Sequence, residues 1–324
     1  MFIGPLFIVG APRSGTKLFR DLLRQHPRVA IPLYETELLP RLIQIAPRFG
    51  DLAEPANFQR MYAWASRQMY FRYMADDGAL ITWEAWHKSC RAYDVAGVFE
   101  GLVRHDAPAP WESDVIWGDK SPNYRMHVPA LAKLYPTARF IHLIRDARDV
   151  CLSSYKAWGK NIIRNAQRWA DEVALCRRDC AALGPDRAME LRYEDLIADV
   201  EGQQRRVSGF LGLPFDAAMT RPGRVSENLG DTKGADRVVA GNTEKWRELP
   251  EATLRRVEAL AGAQLQALGY TLALPPQPPA RLSAAEQHAL RAADGVNLLR
   301  FRVKEWGWRD AVKYSLAAWE STRA

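Results

Sequence analysis

The sequence predicts an α/β protein: a P-loop-type parallel sheet flanked by helices on both faces, with a helical insertion and a helical C-terminal extension. Three observations carry that reading. The apolar run LFIVG at residues 6–10 enters a turn rich in Gly, Pro, Ser and Thr, and a helical pattern begins at about Thr16. A second apolar run, ARFIHLI at residues 138–144, passes straight into Arg145 and a further helix. Around them, short strand-like stretches alternate with helical periodicity, as strands covered on both faces require.

In order, the first helix reaches about Gln25 with Leu18, Leu22 and Leu23 on one side, and stops near His26 and Pro27. Residues 28–31 read as a short strand, and a helix is expected from about Tyr34 to Ile45. Residues 47–107 are helical and aromatic, with Trp64, Tyr70, Phe71, Trp83 and Trp86, and read as an insertion packed against the sheet. Pro108 and Pro110 break the helices. A strand at Val115 to Trp117 then meets GDKSP at residues 118–122. A helix at 129–135 leads to the strand ending at Ile144, and a long amphipathic helix covers about 165–182. The next strand is expected over 189–193, so that Tyr193 ends it, and Glu194 to Leu196 open another helix.

Past Pro214 the periodicity fades, and residues 221–243 have the profile of a long loop or lid. A helix covers 254–268, and PPQPP at 275–279 reads as an extended linker. The tail from Ser283 is helical, then basic and aromatic through Trp306, Trp308 and Trp319. One domain is thus expected over 1–274, followed by an extension over 275–324 that packs on it or forms an oligomer contact, with a homodimer and contact with an anionic membrane surface as further options.

The net charge of +7 and pI near 9.3 suit anionic ligands. The basic residues form no dense block, so no nucleic-acid partner is expected. Cys90, Cys151, Cys176 and Cys180 lack metal-ligand spacing and read as reduced, buried thiols. The chain shows no basic leader before an apolar segment and no apolar run long enough to span a membrane, so a cytoplasmic location is expected.

A buried strand, a glycine turn and a helix start together make an anion site, because backbone N–H groups and the helix dipole point at the ligand. The turn differs from the nucleotide P-loop. Lys17 stands one place late, and Leu18 occupies the position of the hydroxyl that would hold magnesium. A magnesium-dependent kinase with a non-standard phosphate loop is therefore disfavoured, and no metal site is expected.

PRSGT after the first strand, GDKSP, FIHLIRDARDVCLSS, LRYEDL and FLGLPF, in this order, resemble the sulfotransferases that use 3′-phosphoadenosine 5′-phosphosulfate, including bacterial members and tyrosylprotein sulfotransferases. The resemblance covers about residues 5–250. It implies transfer of a sulfuryl group to a hydroxyl or amine, with adenosine 3′,5′-bisphosphate as product and no metal required. Arg13, Ser14, Gly15, Thr16 and Lys17 would hold the 5′-phosphosulfate, although Lys17 replaces the family's usual Thr. Arg145 and Ser153 would bind the 3′-phosphate, and Tyr193 would contact the base. Arg237, preferred over Lys233, would reach the 3′-phosphate from the late loop.

Glu35, preceding Thr36, matches the base of the tyrosylprotein enzymes, with Glu37 as competitor. Lys120 matches a lysine that stabilises the leaving phosphate, and Arg13 would share that task. Other readings of these residues are a strand-end salt bridge from Arg145 to Asp146 or Asp149, an Asp119–Lys120 pair and a core role for Tyr193. His87, His105 and His127 carry no supporting motif and read as structural. The acceptor could be a small molecule, carbohydrate, lipid or peptide, and the aromatic insertion is the natural place for its selection. A non-catalytic nucleotide-binding protein remains the alternative to an enzyme.

Overall fold

The strand at Leu6–Gly10 (β1) is buried at all five positions, because both of its faces are covered. It is the middle strand of a parallel sheet in the order β2–β3–β1–β4–β5, with β2 at Val29–Ala30, β3 at Ile116–Lys120, β4 at Arg139–Ile144 and β5 at Ala188–Arg192. Ile8 pairs with Lys120 on one side and Ile141 on the other, which brings the carboxyl ends of β1, β3 and β4 together. The computed structural model describes residues 1–224, 233–312 and 315.

Side chains alternate across the strands. Leu6 and Ile8 enter a core with Phe19, Leu22 and Leu23 of α1 (Thr16–Leu23). Phe7 and Val9 enter a second core built largely by the insertion. That insertion follows α2 (Leu39–Ile45) and contains α3 (Pro55–Ala65), α4 (Met69–Asp76), α5 (Trp83–Ser89) and α6 (Val95–Asp106). Its aromatic residues pack edge-on, as Phe58 does against Trp86 with ring centroids 5.4 Å apart. The remaining helices are α7 (Val128–Leu134), α8 (Ala147–Trp158), α9 (Ile162–Ala181), α10 (Tyr193–Ala198), α11 (Val200–Leu211), α12 (Glu251–Ala267) and α13 (Ala284–Trp306).

Three local expectations need correction. The chain from Tyr34 to Thr36 is not helical, because Thr36 and Glu37 are bound to the end of β3; α2 begins only at Leu39. Tyr193 does not end β5 but opens α10. The long helix starts earlier, at Ile162, because Asn161 accepts from the Arg164 N–H as its cap. The four cysteines are free and buried. Residues 225–232 of the expected lid and Trp319 lie outside the described residues. Among the described residues, no helix is long and apolar enough to cross a membrane.

Candidate active site

The connection after β1 runs to one side of the sheet and the connection after β4 to the other. The crevice between their carboxyl ends is where α/β sheets place ligands. A cavity of about 570 Å³ lies there, lined by Arg13, Gly15, Thr16, Lys17, Glu35, Lys120, Arg145, Ser153, Tyr193 and Arg237 among others. The structure thus brings together every candidate residue except Ser14, which is fully buried and does not line the cavity. Lys233, His87, His105 and His127 do not line it either.

The turn is shaped for close approach. Arg13 and Gly15 both have positive φ, 75° and 88°. A Cβ on Gly15 would stand 2.4 Å from the Tyr193 ring, so only glycine fits there. Gly15 caps α1 without any side-chain hydrogen bond, and no acidic residue occupies the first turn. The backbone donors of that turn therefore suit an anion.

Arg145 leaves β4 beneath this turn. It packs 4.5 Å from the Tyr193 ring centroid and donates to the carbonyls of Arg13 (3.2 Å) and Asn242 (2.8 Å). Its ion pair with Asp149 is long, at 3.6 Å, while Asp146 pairs with Arg148 instead at 2.6 Å. The Arg145 Nε is buried without a hydrogen-bond partner among the described residues, which is a donor fitting an anionic ligand. Arg13 donates to the Ser153 hydroxyl at 3.0 Å, linking the two halves of the anion site. Tyr193 receives a hydrogen bond from Asn242 at 2.7 Å.

At the end of β3, neighbouring residues point to opposite faces. Asp119 turns away and accepts from the hydroxyls of Thr36 (2.6 Å) and Ser121 (3.0 Å), so it does not pair with Lys120. Burial pushes its carboxyl up to about 6, opposed by those hydroxyls and by Tyr124. Lys120, fully buried, forms an ion pair with Glu35, which is one-third exposed toward the cavity. Burial raises the Glu35 carboxyl, but Lys120, with Lys17 and Arg20 behind it, outweighs burial and holds it below the usual range. Burial lowers the Lys120 ammonium, Glu35 opposes, and the charges of Arg20 and Lys17 push further down. Lys17 therefore sits within electrostatic range of the Glu35–Lys120 pair. Glu37, with φ 49°, receives a 2.9 Å hydrogen bond from Asn123. Burial and then the Glu35 charge push its carboxyl up to about 7.

Sequence reasoning missed Arg20, Asn242 and Trp158. Arg20 lines the cavity and donates to the Leu33 carbonyl, fixing the segment that carries Glu35. Its signal was available, since Lys17 and Arg20 share a helix face at three-residue spacing. Trp158 lies 5.5 Å from the Arg13 guanidinium and had no such signal.

A sequence model of the sulfotransferase family matches residues 5–217. The protein-tyrosine sulfotransferase of Drosophila melanogaster is 25% identical over 228 residues, covering 66% of this chain and 39% of that protein. Protein-tyrosine sulfotransferase A of Caenorhabditis elegans is 25% identical over 218 residues, covering 65% of this chain and 50% of that protein. The matched regions thus span half or less of these two curated relatives. The sulfotransferase domain of the Synechococcus PCC 7002 olefin synthase shares the fold, with a TM-score of 0.54, 23% identity, and coverage of 84% of this chain and 95% of that one. The sulfotransferase domain from the curacin biosynthetic pathway does so with a TM-score of 0.53, 21% identity, and coverage of 83% and 98%.

Proposed function

The chain belongs to the sulfotransferase family, and from that premise we propose that it moves a sulfuryl group from 3′-phosphoadenosine 5′-phosphosulfate to a hydroxyl or amine acceptor. Adenosine 3′,5′-bisphosphate would be the product. The observation that supports this most is one cavity holding two anion sites and an ion-paired carboxylate and ammonium. The turn at Arg13 to Lys17 and the start of α1 would take the 5′-phosphosulfate. Arg145 and Ser153 would take the 3′-phosphate, with Tyr193 near the base and Arg237 at the exposed rim.

The bound donor supplies an electrophilic sulfur and a phosphate leaving group. Glu35, held ionised by Lys120, accepts the proton of the attacking acceptor. As the carboxylate becomes neutral, the Lys120 ammonium is released to neutralise the departing phosphate oxygen. Arg13 adds positive charge from the turn. The pair therefore changes partners without leaving either buried charge uncompensated.

Titration calorimetry with adenosine 3′,5′-bisphosphate tests the donor site. Arg145→Ala should weaken binding by roughly 10- to 100-fold, the scale of a lost charge-assisted hydrogen bond. Unchanged affinity would remove Arg145 from the donor site.

A further inference from the structure

We propose that the acceptor is a compact hydroxyl compound with an aromatic or flat apolar body and an anionic group at its far end, which α13 recognises through Arg302. This rests on the sulfuryl-transfer reading of the same cavity. Besides the Glu35–Lys120 pair, the cavity wall includes Leu33, Tyr34, Tyr73, Phe301, Arg302 and Trp306, together with Glu37 and Asn123. The rings of Tyr34 and Tyr73 stack with centroids 4.8 Å apart, and the Tyr34 hydroxyl is turned to Asp77 at 2.7 Å. What this wall offers a ligand is therefore chiefly aromatic and aliphatic surface.

Arg302 is the cation that α13 brings to that wall. Its Nη1 donates to Ser315 Oγ at 2.9 Å and its guanidinium lies 5.8 Å from the Trp306 ring; among the described residues this leaves a fork that can take a carboxylate. Tyr73, which lines the cavity, lies within electrostatic range of both Glu35 and Arg302. Glu305 also lines the cavity but is solvent-exposed. The whole cavity, about 570 Å³, has the size of a small-molecule site. It would hold donor and acceptor together, which favours a compact acceptor over a polypeptide loop.

The wall is anchored on both flanks, as specific recognition needs. Asp294 of α13 accepts from the Asn161 N–H and from Arg164, each at 2.7 Å, and Asn297 donates to the Gly159 carbonyl at 2.8 Å. At the other end, Arg72 of α4 covers the Trp306 ring at 4.9 Å and pairs with Asp310 at 3.3 Å.

The test uses the full chain with donor and four acceptors: para-hydroxyphenylpropionate, para-propylphenol, tyramine and a tyrosine peptide with blocked ends. The anionic phenol should exceed the neutral one in kcat/KM by roughly tenfold or more, with the amine and the peptide lower still. Arg302→Gln should erase that preference by raising KM for the anionic phenol while kcat holds, and Arg302→Lys should restore part of it. Unchanged bisphosphate affinity in the variants shows that the fold is kept; should they fail to fold, the acceptor series on the unaltered chain still decides. Equal use of the anionic and neutral phenols, preference for the peptide, or turnover of none of the four with bisphosphate binding intact would overturn the acceptor assignment alone. Failure of the unaltered chain to bind bisphosphate would overturn the donor site, and the acceptor assignment with it.

Discussion

A lysine with no solvent exposure is tolerated only where a counter-charge and hydrogen bonds replace water, and for Lys120 Glu35 provides both. Glu35→Gln should lower kcat by roughly 10²- to 10⁴-fold in a steady-state assay, the contribution of a general base, and leave bisphosphate affinity within a few fold. An unchanged kcat would move the base role to Glu37. Glu37 itself makes a separate prediction. Its folded-state carboxyl titrates near 7, above its ordinary value of 4.5, so the unfolded chain loses this proton first. This group's contribution to stability is therefore intact below about pH 4.5 and declines as pH rises toward 7. Glu37→Gln should raise Tm at pH 8 relative to the unaltered chain and change it little at pH 4. A Tm difference that does not vary with pH would contradict the raised carboxyl. At this scale, Glu35, Lys120 and Arg145 were legible because a motif marks each. Asp119 was not, since its two hydroxyl partners come from residues 36 and 121, and no local pattern encodes that meeting.

Among the elements, β1, its turn and α1 are the most constrained, because strand pairing, a left-handed residue and a ligand site coincide there. Gly15→Ala places a Cβ into the Tyr193 ring and strains a φ of 88°. It should cost more than about 1 kcal/mol in chemical denaturation and also weaken bisphosphate binding, whereas Gly184→Ala, also at positive φ but with open space around it, should cost only the strain. Equal losses would show that the Tyr193 contact does not matter. The strands and the long helices were readable from periodicity. The false helix start at Tyr34 shows where periodicity fails: three residues there are bound to the end of a strand about eighty positions away, and tertiary hydrogen bonds override local preference. Tyr193 was misplaced by one residue for a simpler reason, since strand and helix abut there without a loop.

Across the whole molecule, two segments outside the sheet complete the cavity: the insertion through Tyr73, and α13 through Phe301, Arg302 and Trp306. Composition marked both as aromatic but gave no sign that they meet. Asp294→Ala removes the anchors of α13 to Asn161 and Arg164. It should raise acceptor KM several-fold in the transferase assay while calorimetry finds bisphosphate affinity unchanged; a matching loss of bisphosphate affinity would mean that α13 serves the donor as well.

Arg13, Lys17, Arg20, Lys120 and Arg145 line one small space. Glu35, Glu37 and Asp149 line it too and offset part of this positive charge, so a bound anion relieves the repulsive load that remains. A polyanion that relieves this load binds the native chain alone, and so acts as a folding ligand, worth about 2.7 kcal/mol at a hundred times its Kd. Thermal stability should therefore report the free concentration of bisphosphate or donor, rising with it and flattening as added salt screens the cluster. In a cell, the survival time of this chain would then track the supply of its activated sulfate.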